Sequence, residues 1–195
     1  MIKPSMLKPG CRIGVVSPSY WLKKQDMEKT SKFFQDKGYT MVMGNSNSMK
    51  WGPFAGTPQE RADDIHHMFS NPKIEAIICA RGGYGANRVL PLLDYNLIRD
   101  NPKIFMGYSD ITAYLTSITQ KTGLVTFHGP MMVSYKKGFV NYNFQTMERI
   151  LNGTPDFKIE SPDSLPARIL KPGIAMGPLW GGNMTLLINR LGTSD

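Results

Sequence analysis

The sequence predicts an α/β fold built on a parallel sheet with helices on both of its faces. Short, almost wholly apolar runs alternate with segments of helical period, the pattern of strands buried on both sides. The 19 glycines and 14 prolines fall between the apolar runs rather than in one biased tract, as in an ordered domain with many turns. At 195 residues and 41% hydrophobic, the chain is long enough to bury one substantial core and to begin a second small one.

The elements follow in order. Residues 12–17 read as a buried strand ended by Pro18. A helix over 26–37, with Met27, Phe33 and Phe34 on its apolar face, is stopped by Gly38 and leads to a second strand at 39–43. A loop rich in Gly, Asn and Ser ends at Thr57-Pro58-Gln59-Glu60, a capping box with proline at the first helical position, which starts a helix to about residue 69. A third strand at 74–80 enters the turn Arg81-Gly82-Gly83-Tyr84-Gly85, followed by a helix at 87–93. A fourth strand at 103–106, a helix at 111–122 and a fifth strand at 124–127 complete the alternation. Beyond residue 152, Pro155, Pro162, Pro166, Pro172 and Pro178 favour turns and edge strands over long helices. The expected division is therefore an α/β domain over 1–152, then a linker and the beginning of a smaller, β-containing domain over 153–195.

The formal charge of +8 arises from scattered lysines and arginines, with only short doublets such as Lys23-Lys24 and Lys136-Lys137. A nucleic-acid partner would call for clustering and interleaved aromatics, so none is expected. A solvated basic surface, or a preference for substrates bearing carboxylates, accounts for the charge. Cys11 and Cys79 lie in or beside apolar runs without CxxC spacing and read as buried free thiols. His66 and His67 are adjacent on a helix and point apart, and no H-E-x-x-H occurs, so no metal site is expected. The N-terminus lacks the apolar stretch of a signal peptide and no run reaches membrane-spanning length, which points to a cytoplasmic protein with no membrane partner.

In a parallel α/β sheet, ligands sit beyond the carboxyl ends of the strands. Three segments there could carry chemistry: Ser17-Pro18-Ser19, Arg81-Gly82-Gly83-Tyr84-Gly85 and Gly107-Tyr108-Ser109-Asp110. The last has the layout of a nucleophile elbow, with a serine raised between strand and helix and the next backbone amide facing a developing oxyanion. It departs from G-x-S-x-G at the final position, where Ile111 stands for glycine. On local pattern alone, Ser109 is more simply an ordinary helix N-cap before Asp110. The 81–85 turn could bring amides close to an oxyanion or a carboxylate, or be a structural turn; it is neither a dinucleotide fingerprint nor a P-loop.

Six segments in register resemble one family across nearly the whole chain. They are Leu7-Lys8-Pro9-Gly10-Cys11-Arg12-Ile13-Gly14-Val15-Val16-Ser17-Pro18-Ser19, Arg61-Ala62-Asp63-Asp64, Ala80-Arg81-Gly82-Gly83-Tyr84-Gly85, Gly107-Tyr108-Ser109-Asp110-Ile111-Thr112, His128-Gly129-Pro130-Met131 and Gly181-Gly182-Asn183-Met184. Together these are similar to the LD-carboxypeptidases. The resemblance implies a flavodoxin-like domain and a cytoplasmic, usually dimeric serine peptidase of cell-wall recycling, which removes the terminal D-alanine from an L,D-linked murein tetrapeptide. It requires no metal or organic cofactor. A related branch cleaves an aminoacyl-nucleotide antibiotic, and Arg81 and Tyr84 favour the murein branch.

By the same likeness Ser109 is the nucleophile, and the amides of Asp110 and of Gly82 or Gly83 form the oxyanion hole. Arg81, Tyr84 and Gly85 help to hold the substrate. The family's glutamate and histidine follow the Gly-Gly-Asn segment, later than His128, so this chain is expected to be the N-terminal portion of a longer enzyme and nearly inactive by itself. A non-catalytic module that holds a small anion in the same loops is the competing reading.

Overall fold

Every strand of the sheet runs the same way. β1 (Arg12–Val16), β2 (Thr40–Met43), β3 (Ala76–Cys79), β4 (Ile104–Gly107) and β5 (Phe127–His128) form one sheet of order β2-β1-β3-β4-β5. All four pairings are parallel, as in Ile13 beside Ala76 and Ala76 beside Ile104. This is the flavodoxin-like order, whose direction of winding reverses between β1 and β3. The computed structural model describes residues 1–136, 138, 140–155, 158–159, 161, 166 and 168–193. Lys137, Pro162 and Asp195 lie outside the described residues.

The apolar runs are continuous because both faces of the sheet are covered. Side chains alternate along β3: Ile77 and Cys79 join one core, while Ala76 and Ile78 join the other. The first core also takes Phe105 of β4 with Ile65, Met68 and Phe69 of α2 (Pro58–Ser70) and Tyr114 and Ile118 of α4 (Thr112–Thr122). The second takes Ile13, Val15, Ile104 and Met106 with Phe34 of α1 (Lys24–Asp36) and Phe144 of α5 (Asn141–Leu151). Gly14 lets α2 approach closely, since a Cβ there would lie 2.7 Å from the Met68 sulfur.

The capping box at Thr57 forms as expected. Thr57 Oγ1 accepts from the Glu60 amide at 3.3 Å, and the Glu60 carboxylate accepts from the Thr57 amide at 2.8 Å. The expected helix at 87–93 is instead two 3-10 turns, Ala86–Arg88 and Leu90–Leu92. Pro91 lacks the N–H that a continuing helix needs. A short helix, α3 (Tyr95–Asp100), follows, capped where Asp94 accepts from the Leu97 amide at 3.0 Å. α3 and α5 are additions to the elements read from sequence. β5 is shorter and later than expected, and Leu124 pairs with Ile2 in an isolated bridge instead.

After residue 152 the described residues contain no strand. Their one helix is α6 (Met184–Asn189), with the Asn183 side chain accepting from the Leu186 amide at 3.2 Å. The preceding segment docks on α4, where the Asn183 amide donates to Thr112 Oγ1 at 3.0 Å. Ile169, Leu170, Ile174, Met176 and Leu179 are left exposed on the way. Among the described residues no helix is long and apolar enough to cross a membrane. Cys79 is a fully buried free thiol, whereas Cys11 is only half-buried because it lies just before β1 on the rim of the sheet.

Thr57→Ala removes one half of the capping box and should lower unfolding stability by about 1 kcal/mol, read from urea denaturation.

Candidate active site at the carboxyl ends of the strands

The chain leaves β4 through extended Tyr108 (φ −148°, ψ −175°) and reverses at Ser109, whose φ is +62°. Ser109 is the one non-glycine residue with positive φ among the described residues. A left-handed serine costs on the order of 1–3 kcal/mol and persists only where its surroundings impose it. Here the reversal is imposed by packing: Ile111, fully buried, folds back so tightly that a Cβ on Gly107 would lie 2.7 Å from its Cγ2. That contact explains the departure from G-x-S-x-G, because position 111 belongs to the core.

The half-buried Ser109 hydroxyl has no hydrogen-bond partner among the described residues. It does not cap the following 3-10 turn (Ser109–Ile111), nor α4, which begins after Ile111 without a side-chain cap. The helix-cap reading therefore does not describe this serine.

Gly82, buried in the turn that follows β3, closes on the elbow. A Cβ there would lie 3.0 Å from Ser109 Cβ and 3.2 Å from both Ser109 Oγ and the Asp110 nitrogen. The main chain of Gly82, the serine hydroxyl and the Asp110 amide thus share one small space. Among the described residues neither the Asp110 nor the Gly82 N–H meets an acceptor. Two free donors beside a free hydroxyl are what an incipient oxyanion requires.

The rest of the turn is shaped from below by aromatics. Gly83 (φ +143°) rests against the Tyr20 ring, where a Cβ would enter the ring itself. Gly85 (φ +104°) rests on Phe54, 2.7 Å from where a Cβ would stand. The half-buried Arg81 guanidinium lies 5.6 Å from the Tyr20 ring centroid, whereas the Tyr84 side chain is 61% exposed. The structure therefore brings Ser109, Asp110 and Gly82 together, with Gly83, Arg81 and Gly85 in the same turn, whose Tyr84 side chain is exposed.

Two charged side chains lie beneath the elbow: the carboxylate of Asp110, of which the sequence suggests only the backbone amide as part of the site, and Arg61, which it does not suggest as a site residue. The Asp110 carboxylate is buried, accepting from Ser19 Oγ at 2.6 Å and from the Ala86 amide at 3.1 Å. Arg61, fully buried at the start of α2, donates to the Pro18 carbonyl at 2.7 Å, where Tyr114 Oη also donates at 2.7 Å. Its other terminal nitrogen has no hydrogen-bond partner among the described residues, and the guanidinium lies 5.1 Å from the Phe54 centroid. Burial raises the Asp110 carboxyl above its ordinary range, opposed by the Ser19 and Ala86 hydrogen bonds and by the Arg61 charge. The available signal was an arginine on the inward face of an otherwise amphipathic helix.

On the β5 side, a cavity of about 650 Å³ is lined by Tyr108, Phe127, His128, Pro130, Tyr142 and Met147. His128 lies across from the Tyr108 ring, 6.3 Å between centroids, and makes no hydrogen bond to Ser109 among the described residues. His66 Nε2 accepts from the Asp94 amide at 2.8 Å, a joint between α2 and α3.

A family model described as the LD-carboxypeptidase N-terminal domain matches residues 13–129. The chain belongs to the LD-carboxypeptidase family. It is 36% identical over 205 residues to a probable murein peptide carboxypeptidase of Bacillus subtilis (strain 168), covering 98% of this chain and 60% of that protein. It is 28% identical to the murein tetrapeptide carboxypeptidase of Pseudomonas aeruginosa, covering 93% of this chain and 61% of that protein. Among solved structures, the microcin C7 self-immunity protein MccF in complex with aspartyl sulfamoyl adenosine superposes with a TM-score of 0.83 at 29% identity, over 97% of this chain and 65% of that one. The chain thus spans about 60% of the length of the curated relatives it matches.

Ser109→Ala should change unfolding stability by less than about 0.5 kcal/mol in urea denaturation, since the hydroxyl makes no cap; a loss of about 1 kcal/mol would restore the capping role. Asp110 gives a pH signature. Its folded-state pKa is raised above 3.8, so the folded protein holds the proton more tightly than the unfolded chain, and stability falls as pH rises from near 4 through the folded value. Asp110→Asn should lose this slope, so that its thermal midpoint, relative to that of the parent, rises across the same window.

Proposed function

We propose that this chain, in its full-length context, is the nucleophile-bearing part of a serine carboxypeptidase that removes the terminal D-alanine from L,D-linked murein tetrapeptides. The observation that carries the reading is the strained Ser109 with its unpartnered hydroxyl, set beside the unpaired amides of Asp110 and Gly82. Ser109 Oγ attacks the carbonyl next to the terminal D-amino acid, and the oxyanion so formed lies against those two amides. The resemblance to the family assigns the base to a histidine, oriented by a glutamate, both from the C-terminal portion; the histidine takes the serine proton and passes it to the leaving amine. Half-buried Arg81, with the net charge of +8, suits a substrate that ends in a carboxylate.

Within this proposal, residues 1–152 are the catalytic α/β domain and residues 153–195 lead into the C-terminal domain. The enzyme works as a cytoplasmic homodimer in cell-wall recycling, and no metal or organic cofactor enters its reaction. Cleavage of an aminoacyl nucleotide is the second reading, favoured by the superposition on MccF with its bound sulfamoyl adenosine. A module that only holds a small anion would use the same loops but leave Ser109 unreactive.

Release of free D-alanine from a murein tetrapeptide, followed by mass spectrometry, tests the reading. The full-length protein should release it, and Ser109→Ala should abolish release. The chain ending at residue 195 should be slower by about 10⁴-fold or more for want of the base. No release by the full-length protein would move the nucleotide or binding-module reading ahead.

A further inference from the structure

The two amides proposed to hold the oxyanion come from separate loops, one after β4 and one after β3. A donor displaced by about 1 Å can cost on the order of 10²-fold in rate, so something must fix the distance between those loops. Strand pairing alone ends before it reaches them: Ile78 beside Met106 is the last β3–β4 pair.

We propose that the Asp110 carboxylate is a positioning group that locks the two halves of the oxyanion hole together, with Ser19 as its anchor. The inference rests on the carboxypeptidase reading above. Asp110 supplies one amide from its own backbone, and its side chain reaches across to accept from the amide of Ala86, at the end of the turn that carries Gly82. The same carboxylate oxygen accepts from Ser19 Oγ at 2.6 Å, tying in the loop after β1. That loop then supports the turn a second time, because Tyr20, next to Ser19, is the ring on which Gly83 rests.

Arg61 closes the arrangement from below. It donates to the Pro18 carbonyl and lies over Phe54, the ring beneath Gly85, while Phe54 meets Tyr20 edge to face at 5.6 Å. One carboxylate thus touches all three loops at the carboxyl edge of the sheet, and one guanidinium holds the floor on which they rest. None of these side chains needs to touch substrate. Their effect runs through the position of the Asp110 and Gly82 amides, which act on charge that exists only in the transition state.

The test is a set of variants of the full-length protein: Ser19→Ala, Asp110→Ala and the double variant, each checked for folding by circular dichroism. Ser19→Ala should lower kcat for D-alanine release by about 10- to 100-fold with KM changed less than about threefold, the pattern of a contact felt only in the transition state. If Ser19 acts through Asp110, the double variant should be no slower than Asp110→Ala alone. Affinity for a tripeptide boronic acid, with boron in place of the attacked carbonyl carbon, should fall in step with kcat, while affinity for the tripeptide product stays the same.

A kcat for Ser19→Ala within twofold of the parent, a rise in KM alone, or rate losses that multiply in the double variant would each overturn the clamp. If the parent itself releases no D-alanine, the carboxypeptidase reading fails instead. Hydrogen exchange then decides the clamp separately: Ser19→Ala should speed exchange of the Ala86 amide, which the Asp110 carboxylate holds, by about tenfold, and an unchanged rate there would overturn it.

Discussion

The reversal at Ser109 is held by packing and not by any hydrogen bond to the Ser109 side chain. Ile111 drives into the core beneath Gly107, and Ser109 between them turns left-handed as the chain enters α4. A serine in that conformation is unfavourable where it stands, and the fully buried side chain of Ile111 is what offsets it. The hydroxyl is left without a partner and the next amide without an acceptor. Both are costs to stability in the free protein, and both become assets once a carbonyl carbon and its oxygen occupy the space between them.

The charged residues beneath the elbow follow the same logic. Burying an arginine and an aspartate costs several kcal/mol per ion before their hydrogen bonds are counted, and apolar residues of similar size would often do as well for stability alone. What apolar residues could not do is reach three loops with directional bonds. Asp110, Ser19, Ala86, Pro18 and Arg61 are joined by bonds of 2.6–3.1 Å within one small volume, and they define the shape of the carboxyl edge more than they add to the depth of the core.

Much of the fold was legible in the sequence because its signals are local. β1, β3 and β4 are apolar runs covered on both faces, and α2 announces itself with a capping box whose members lie three residues apart. The helix expected at 87–93 is broken at Pro91, and the local signal for α3 is Asp94 as its N-cap. α5 carries Phe144, Met147 and Leu151 on one buried face, a helical spacing present in the sequence but hidden near the change of texture at residue 152. Ser109, Asp110 and Gly82 were found by their place after strands. The ties from Ser19 to Asp110, 91 residues apart, and from Arg61 to Pro18, 43 apart, have no local pattern and became visible only in three dimensions.

The central claim is geometric, and an adduct tests it most directly. A crystal structure of the protein with a tripeptide boronic acid, whose boron replaces the carbonyl carbon that precedes D-alanine in the substrate, should show boron bonded to Ser109 Oγ, with one boronate oxygen 2.7–3.1 Å from both the Asp110 and Gly82 nitrogens. A boronate bonded to another residue, or bonded to Ser109 with its oxygen turned away from both amides, would contradict the account.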